Sequence, residues 1–243
     1  MKNGYLFLHG KDSGPSAPVC AMSNLVNSFS NIGELVDFAT YSWGYKQIFT
    51  RPFDEAVIAE VDAAIERLTN AGADYIHIVG HSIGCGVALY YATQRSNFTS
   101  IVLLAPAHNT HTEKMQLITE WSRKKANALL ATPNYNRSQI EQFVDNSAND
   151  IKVVDSTALN YMSYMDPQGN TNMVLNAEKI PRSLNILLIA GRNDVTQISV
   201  VSRIFFKIKR TSLSRFIITD DTHVSVSGTN SFDAIINWTR SIV

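Results

Sequence analysis

The sequence predicts an α/β fold: a mostly parallel sheet of about six strands, with helices on both faces and a helical insertion late in the chain. Three observations carry this prediction. Short apolar runs alternate with helix-patterned stretches nearly end to end, the order that produces a parallel sheet with both faces covered. Several runs are short and wholly apolar, Ile101-Val102-Leu103-Leu104 and Ile186-Leu187-Leu188-Ile189 being the clearest. A chain of 243 residues, 45% hydrophobic and 17% charged, can bury one such core, with room for a modest insertion.

The first strand is Tyr5 to Leu8, ending at His9-Gly10, and a helix through Leu25–Phe29 follows Pro18. Glu34–Ala39 gives a second strand. From Asp54 to Leu68 the residues Val57, Ile58, Val61, Ile65 and Leu68 recur at helical spacing, with Pro52 before the start and Gly72 past the end. Strand 75–79 leads through a glycine-rich turn into a third helix over Cys85–Ala92, then strand 101–104. The remaining elements are strand 186–189, a helix over about 197–208, strand 216–218 and a closing helix over about 231–242.

Between Pro106 and Pro181 this rhythm breaks. The stretch is polar and patterned as helix over 115–130 and 138–144, with the aromatic run Tyr161-Met162-Ser163-Tyr164-Met165-Asp166-Pro167 near its end. Residues 1–106 and 181–243 are therefore expected to form the core and 107–180 a cap over the carboxyl edge of the sheet, within one domain. Parallel sheets bind their ligands outside that edge.

Charge excludes several functions. Lys plus Arg and Asp plus Glu both number 21, so nothing steers the chain toward nucleic acid or an acidic membrane. The one basic cluster, Lys207, Lys209, Arg210 and Arg215, is expected to be a solvated helix end and turn. No run approaches the ~18 apolar residues of a membrane span. Met1-Lys2-Asn3-Gly4 runs straight into the first strand, leaving no room for a signal peptide, so the expected location is cytoplasmic; a leader already removed would leave no trace. Cys20 and Cys85 make no disulfide framework and are expected to be free thiols.

The chemistry centres on Gly80-His81-Ser82-Ile83-Gly84. A strand, then G-x-S-x-G, then a helix of small residues is the setting of a nucleophile elbow, whose serine stands clear of the sheet before a helix N-terminus. A serine hydroxyl needs a base, and the base needs a group to orient it. Asp194 lies in the loop after strand 186–189 and His223 in the loop after strand 216–218, both at carboxyl ends. Ser82, Asp194, His223 is the chain order of a Ser…Asp…His hydrolase. Among the other histidines, His77 belongs inside a strand, His9 and His81 shape turns, and His108 is the rival base. Asp220 and Asp221 stand too near His223 in one loop and are expected to cap the turn. Oxyanion donors are expected at the backbone N–H of Ile83 and, from the loop after the first strand, of Lys11, with Asp12 as second choice. That loop is not a phosphate loop, since G-x-x-x-x-G-K-[ST] is absent.

His9-Gly10, the Gly80–Gly84 pentapeptide, Gly191-Arg192-Asn193-Asp194 and His223 together resemble the α/β-hydrolase superfamily, over nearly the whole chain. More narrowly the chain is similar to small bacterial esterase-like serine hydrolases, a likeness that extends to Leu8-His9-Gly10-Lys11 and to the 161–167 run. The resemblance implies Ser82 as nucleophile, His223 as base and Asp194 as acid. It also implies that the chain begins at the third strand of the full eight-stranded fold, without the first antiparallel hairpin.

The expected function is hydrolysis of a carboxylic ester or thioester through an acyl-enzyme on Ser82, acting on a small molecule with no cofactor and no metal. The competing expectation is a non-catalytic binding or partner-docking protein that kept the fold. Trp43, Tyr161 and Tyr164 are candidates to line the substrate pocket, with Trp121, Tyr135 and Phe143 as further aromatics of the cap. The sequence leaves the oligomeric state open.

Overall fold

The computed structural model describes all residues except 12, 15, 16, 18, 19, 40–48, 109, 148, 149 and 195–197. Six strands form one sheet in the order β2-β1-β3-β4-β7-β8, with every pair parallel. They are β1 (Asn3–Leu8), β2 (Leu35–Phe38), β3 (Tyr75–His81), β4 (Ser100–Leu104), β7 (Asn185–Gly191) and β8 (Arg215–Thr219). Chain order reverses between β1 and β3: β2 lies on one side of that pair and the later strands on the other. A crevice opens at such a switch point beyond the carboxyl ends, so the loops after β1 and β3 are brought together there.

Period-two side-chain alternation divides the core into two layers. Tyr5 and Phe7 of β1 pack with Phe29 of helix α1 (Ser23–Asn31) and with Trp238 of α8 (Phe232–Arg240) on one face. Leu6 and Leu8 point the other way, into the cluster with α2 (Phe53–Asn70) and α3 (Ile83–Gln94). Helix α3 is apolar almost all round and buried accordingly. On β3, His77 is fully buried; its Nε2 donates to Asn3 Oδ1 at 3.2 Å, and Ser100 Oγ meets its Nδ1 at 2.7 Å. It is a sheet histidine, as its place in the strand implied.

Residues 107–180 contain α4 (Glu113–Ala131), the strands β5 (Ile140–Ser147) and β6 (Asp150–Thr157), α5 (Ala158–Met165) and α6 (Met173–Lys179). Helix α7 (Ile198–Lys207) follows β7. The helix expected over 138–144 is instead the first strand of an antiparallel hairpin. Ile140, Phe143 and Val144 mimic helical spacing, but the partner strand supplies a two-sided ribbon. Phe143, Asp145 and Ser156 are buried on its inner face, while Ile140, Ile151 and Val153 are exposed on the outer. The expectation of an all-helical insertion is corrected to that extent. Thr112, Thr157 and Asn172 each accept a backbone N–H at the start of α4, α5 and α6.

The inner side of this segment is continuous with the core. Phe143, Tyr161, Tyr164 and Met165 belong to the same apolar cluster as Leu8, Phe53 and Val87. Among the described residues no helix is long and apolar enough to cross a membrane.

Candidate active site

Ser82 sits at φ 56° and ψ −120°, a conformation that costs a non-glycine residue about 1–3 kcal/mol. The surrounding turn enforces it. Ser82 N–H donates to Leu104 O at 3.1 Å, and Ser82 O accepts from Cys85 N at 3.1 Å. The flanking glycines are required by close approach. A Cβ on Gly80 would stand 2.6 Å from Gly84 O, and one on Gly84 would stand 2.1 Å from Leu8 O. Ser82 is half-buried at the head of α3, with Ile83 as the first helical residue. Cys85 in the next turn donates its thiol to Gly80 O and Leu104 O, and burial pushes its pKa far up, so it is an inert packing thiol. Both cysteines are free.

The loop after β1 closes on the serine. A Cβ at Gly10 would lie 3.1 Å from His81 Nδ1 and 3.3 Å from Ser82 Cβ, so a side chain there would crowd the serine turn. His9 Nδ1 donates to Gly10 O at 2.8 Å, and Gly14, at φ +116°, packs on the other edge of the His9 ring. Lys11 follows immediately, its side chain paired with Asp145 of β5. Asp12 and Trp43 lie outside the described residues.

The loops carrying Asp194 and His223 are joined by a glycine that the sequence alone did not single out for this purpose. A Cβ on Gly191 would stand 2.2 Å from Asp221 O. This contact lets Arg192 N–H reach Thr219 O at 2.7 Å and Asn193 N–H reach Asp221 O at 3.0 Å. Asp194 and His223 are thereby brought face to face. His223 Nδ1 donates to the Asp194 carboxylate, at 2.9 and 3.1 Å from its two oxygens. The Asp194 side chain is 3% exposed and the His223 ring 20%. His81, beside the serine, donates its Nε2 to His223 O at 2.9 Å and ties the elbow to the His223 loop. That bond also went unread in the sequence.

The rival groups are occupied elsewhere. His108 Nε2 donates to Tyr164 O at 2.9 Å. Asp220 is exposed and pairs with Arg192 at 3.6 Å. Asp221 accepts from Ser225 and Asn230; burial pushes its carboxyl up, but hydrogen bonds from Asn230, Thr219 and Ser225 outweigh that and hold it below the ordinary range. Burial holds His9, His81 and His108 down to about 4, with His223 and Lys11 adding to the effect at His81 and His108 respectively. All three are neutral at physiological pH and act as fixed dipoles.

Tyr161 and Tyr164, the pocket-lining candidates of the cap run, pack inside the core. Both are fully buried. Tyr161 stacks on Phe143 at 4.4 Å and donates to Val144 O, while Tyr164 meets Phe49 at 4.9 Å and Phe53 at 5.5 Å, edge to face. Their rings are large apolar areas whose burial joins residues 107–180 to the core. Of the other cap aromatics, Phe143 is buried and Trp121 is 65% exposed. No cluster of three or more metal-ligating side chains occurs among the described residues.

Residues 46–221 match the family described as serine aminopeptidase, S33. No curated protein matches the chain in sequence. Solved structures share its fold at low identity. DcsB, solved in complex with its substrate analogue, superposes with a TM-score of 0.72 at 12% identity, covering 100% of this chain and 91% of DcsB. A monoacylglycerol lipase from Paleococcus ferrophilus gives 0.64 at 18% identity, covering 99% and 95%. An esterase from Pyrococcus furiosus gives 0.60 at 15% identity, covering 99% and 80%.

Proposed function

The chain belongs to the S33 serine aminopeptidase family of the α/β-hydrolase superfamily, and we propose that it hydrolyses a carboxylic ester or thioester through an acyl-enzyme on Ser82. The observation that carries this reading is the pairing of Asp194 with His223 Nδ1 at the sheet edge where the elbow presents Ser82. Nδ1 is committed to the acid, which leaves Nε2 to take the serine proton. Ser82 Oγ attacks the acyl carbon as His223 accepts its proton, and the buried Asp194 carboxylate stabilises the imidazolium. The N–H groups of Ile83 and Lys11 hold the developing oxyanion. His223 then protonates the leaving alcohol or thiol, activates a water, and returns the proton to Ser82 as the acid product leaves. Residues 107–180 overhang this edge as a cap and govern substrate choice.

The neighbouring folds named for lipase and esterase activity make esters the first substrates to try. The family name adds an aminoacyl amide. The test is a chain-length series of p-nitrophenyl esters with one thioester and one aminoacyl p-nitroanilide, alongside labelling by a fluorophosphonate. Turnover of an ester or thioester and a single label on Ser82 are expected. Labelling elsewhere would defeat the assignment of Ser82, and turnover of the anilide alone would replace the ester with an amide.

A further inference from the structure

The Lys11 side chain does not extend into solvent from its loop. It runs beneath the cap and pairs with Asp145, on the inner face of the β5–β6 hairpin. The Lys11 side chain is 10% exposed and that of Asp145 0%. Its ammonium stands 5.9 Å from the centre of the Phe49 ring and near enough to His108 to depress that ring's basicity. A buried ion pair of this kind is seldom worth more to stability than two apolar side chains of the same size. Its value must be sought in what it holds in place.

The two ends differ. Asp145 belongs to a braced strand: Val144 N–H donates to Ser122 Oγ at 2.7 Å, Val144 O accepts from Tyr161, and Lys125 Nζ donates to Gln142 O at 3.2 Å. The Lys11 end is the loop whose preceding residue, Gly10, lies against Ser82. Gly10 has no side chain, and His9 and Gly14 pack with each other on the near side of the loop, so the direction of the next peptide N–H depends on what holds Lys11. The Lys11 arm ties this residue to the braced strand.

We infer that the Lys11–Asp145 pair is a positioning device by which the cap hairpin sets the Lys11 backbone N–H toward the oxyanion. This inference rests on the proposed hydrolase reading. It makes the cap part of catalysis by a route separate from substrate selection, since Asp145 acts through its ion pair with Lys11. Oxyanion donors act only when aimed at the transition state, so loosening the pair lowers kcat and leaves KM nearly unchanged.

The experiment uses Lys11→Met, Asp145→Asn, the double variant Lys11→Met/Asp145→Leu, and Lys11→Arg, measured for kcat, KM and Tm with the best ester from the panel. Each single variant should lose about tenfold in kcat with KM within about twofold, and the two losses should not multiply. The double variant removes both buried charges, so its Tm should return toward that of the wild type while kcat stays about tenfold low. A pair that only balances charge predicts the opposite, recovery of Tm and kcat together, and that result overturns the inference. Lys11→Arg keeps the charge on a longer arm and decides if the double variant does not fold. With Tm held, a kcat at least about threefold lower supports positioning, and wild-type kcat overturns it. A wild-type protein that neither labels at Ser82 nor turns over any substrate fails at the hydrolase reading itself, and this inference falls with it. An active wild type with unaffected variants overturns the positioning role alone.

Discussion

The carboxyl edge of the sheet and the segment 107–180, proposed to cap it, are built by different means. At the sheet edge, backbone turns place the chemical groups. Gly80, Gly84, Gly10 and Gly191 each sit where a Cβ would come within 3.1 Å of another atom, and each brings a functional loop against its neighbour. In the cap, side chains do the placing. Phe143, Tyr161, Tyr164 and Met165 bury a shared apolar face against the core, and the hairpin exists because its inner face has that core to lie on. Turn-built sites lose function when a functional atom is removed and keep their stability. Packing-built regions lose stability first.

The largest expected effect tests the first half of that contrast. Ser82→Ala should reduce ester hydrolysis on the order of 10⁴-fold or more, since the covalent step disappears. The glycine-framed elbow survives the change, so the Tm should stay at or slightly above the wild-type value. A large drop in Tm would mean that the serine side chain, not the turn, holds the elbow together.

The second half predicts the reverse for the cap. Tyr164→Ala removes a fully buried ring packed edge to face on Phe49 and Phe53. It should cost about 3–5 kcal/mol in urea unfolding, as large aromatic truncations in cores do, with the order of preference among acyl chain lengths unchanged. Retained stability with altered chain-length preference would make the underside of the cap a substrate pocket and break the comparison.

This contrast also explains what was legible in the sequence. The parallel sheet, its approximate strand number, the elbow and the Asp194 and His223 loops could be read because strands of this type are local apolar runs and turns are punctuated by glycine. The β5–β6 hairpin could not. Its pairing depends on whether Phe143 or Ile140 faces the core, and only the completed sheet and α5 decide that. Tyr161 and Tyr164 were ambiguous for the same reason, because an aromatic run serves a pocket or a core equally well until its neighbours are known. The Lys11–Asp145 pair spans more than half the chain, and neither residue marks the other in the sequence.

Acid sensitivity gives a smaller effect that spans both regions. His9, His77, His81 and His108 are all held down to about 4 from the ordinary 6.5, chiefly by burial. Between those values the unfolded chain binds more protons than the folded one. The stability these neutral histidines preserve is therefore fully present above about 6.5 and is lost as pH falls toward 4. Each contributes a slope of at most ~1.4 kcal/mol per pH unit. His108→Gln keeps a donor for Tyr164 O and removes one titrating group. Urea unfolding between pH 7 and 5 should show a shallower decline for this variant by up to one proton. An identical slope would mean that His108 charges without opening the contact between the core and the cap.

The smallest effect is the most direct check on the hairpin. Val153 and Val154 are adjacent on β6, yet Val153 is 64% exposed on the outer face, whereas Val154 packs on the core beneath. Valine to threonine preserves shape and β-branching, so strand preference is nearly unchanged and only the environment of one new hydroxyl is tested. On the outer face the hydroxyl stays in water, and Val153→Thr should alter stability by less than about 0.5 kcal/mol. On the inner face it is moved into apolar surroundings, and Val154→Thr should cost about 1–2 kcal/mol. A register shifted by one residue would exchange the two results, because successive side chains in a strand point to opposite faces. In the helix that residues 138–144 mimic, Phe143 would lose the facing strand that carries Val154. The Val154 penalty would then vanish, with no compensating penalty at Val153. Equal small effects at both positions would therefore reject the hairpin, and reversed effects would reject only its register.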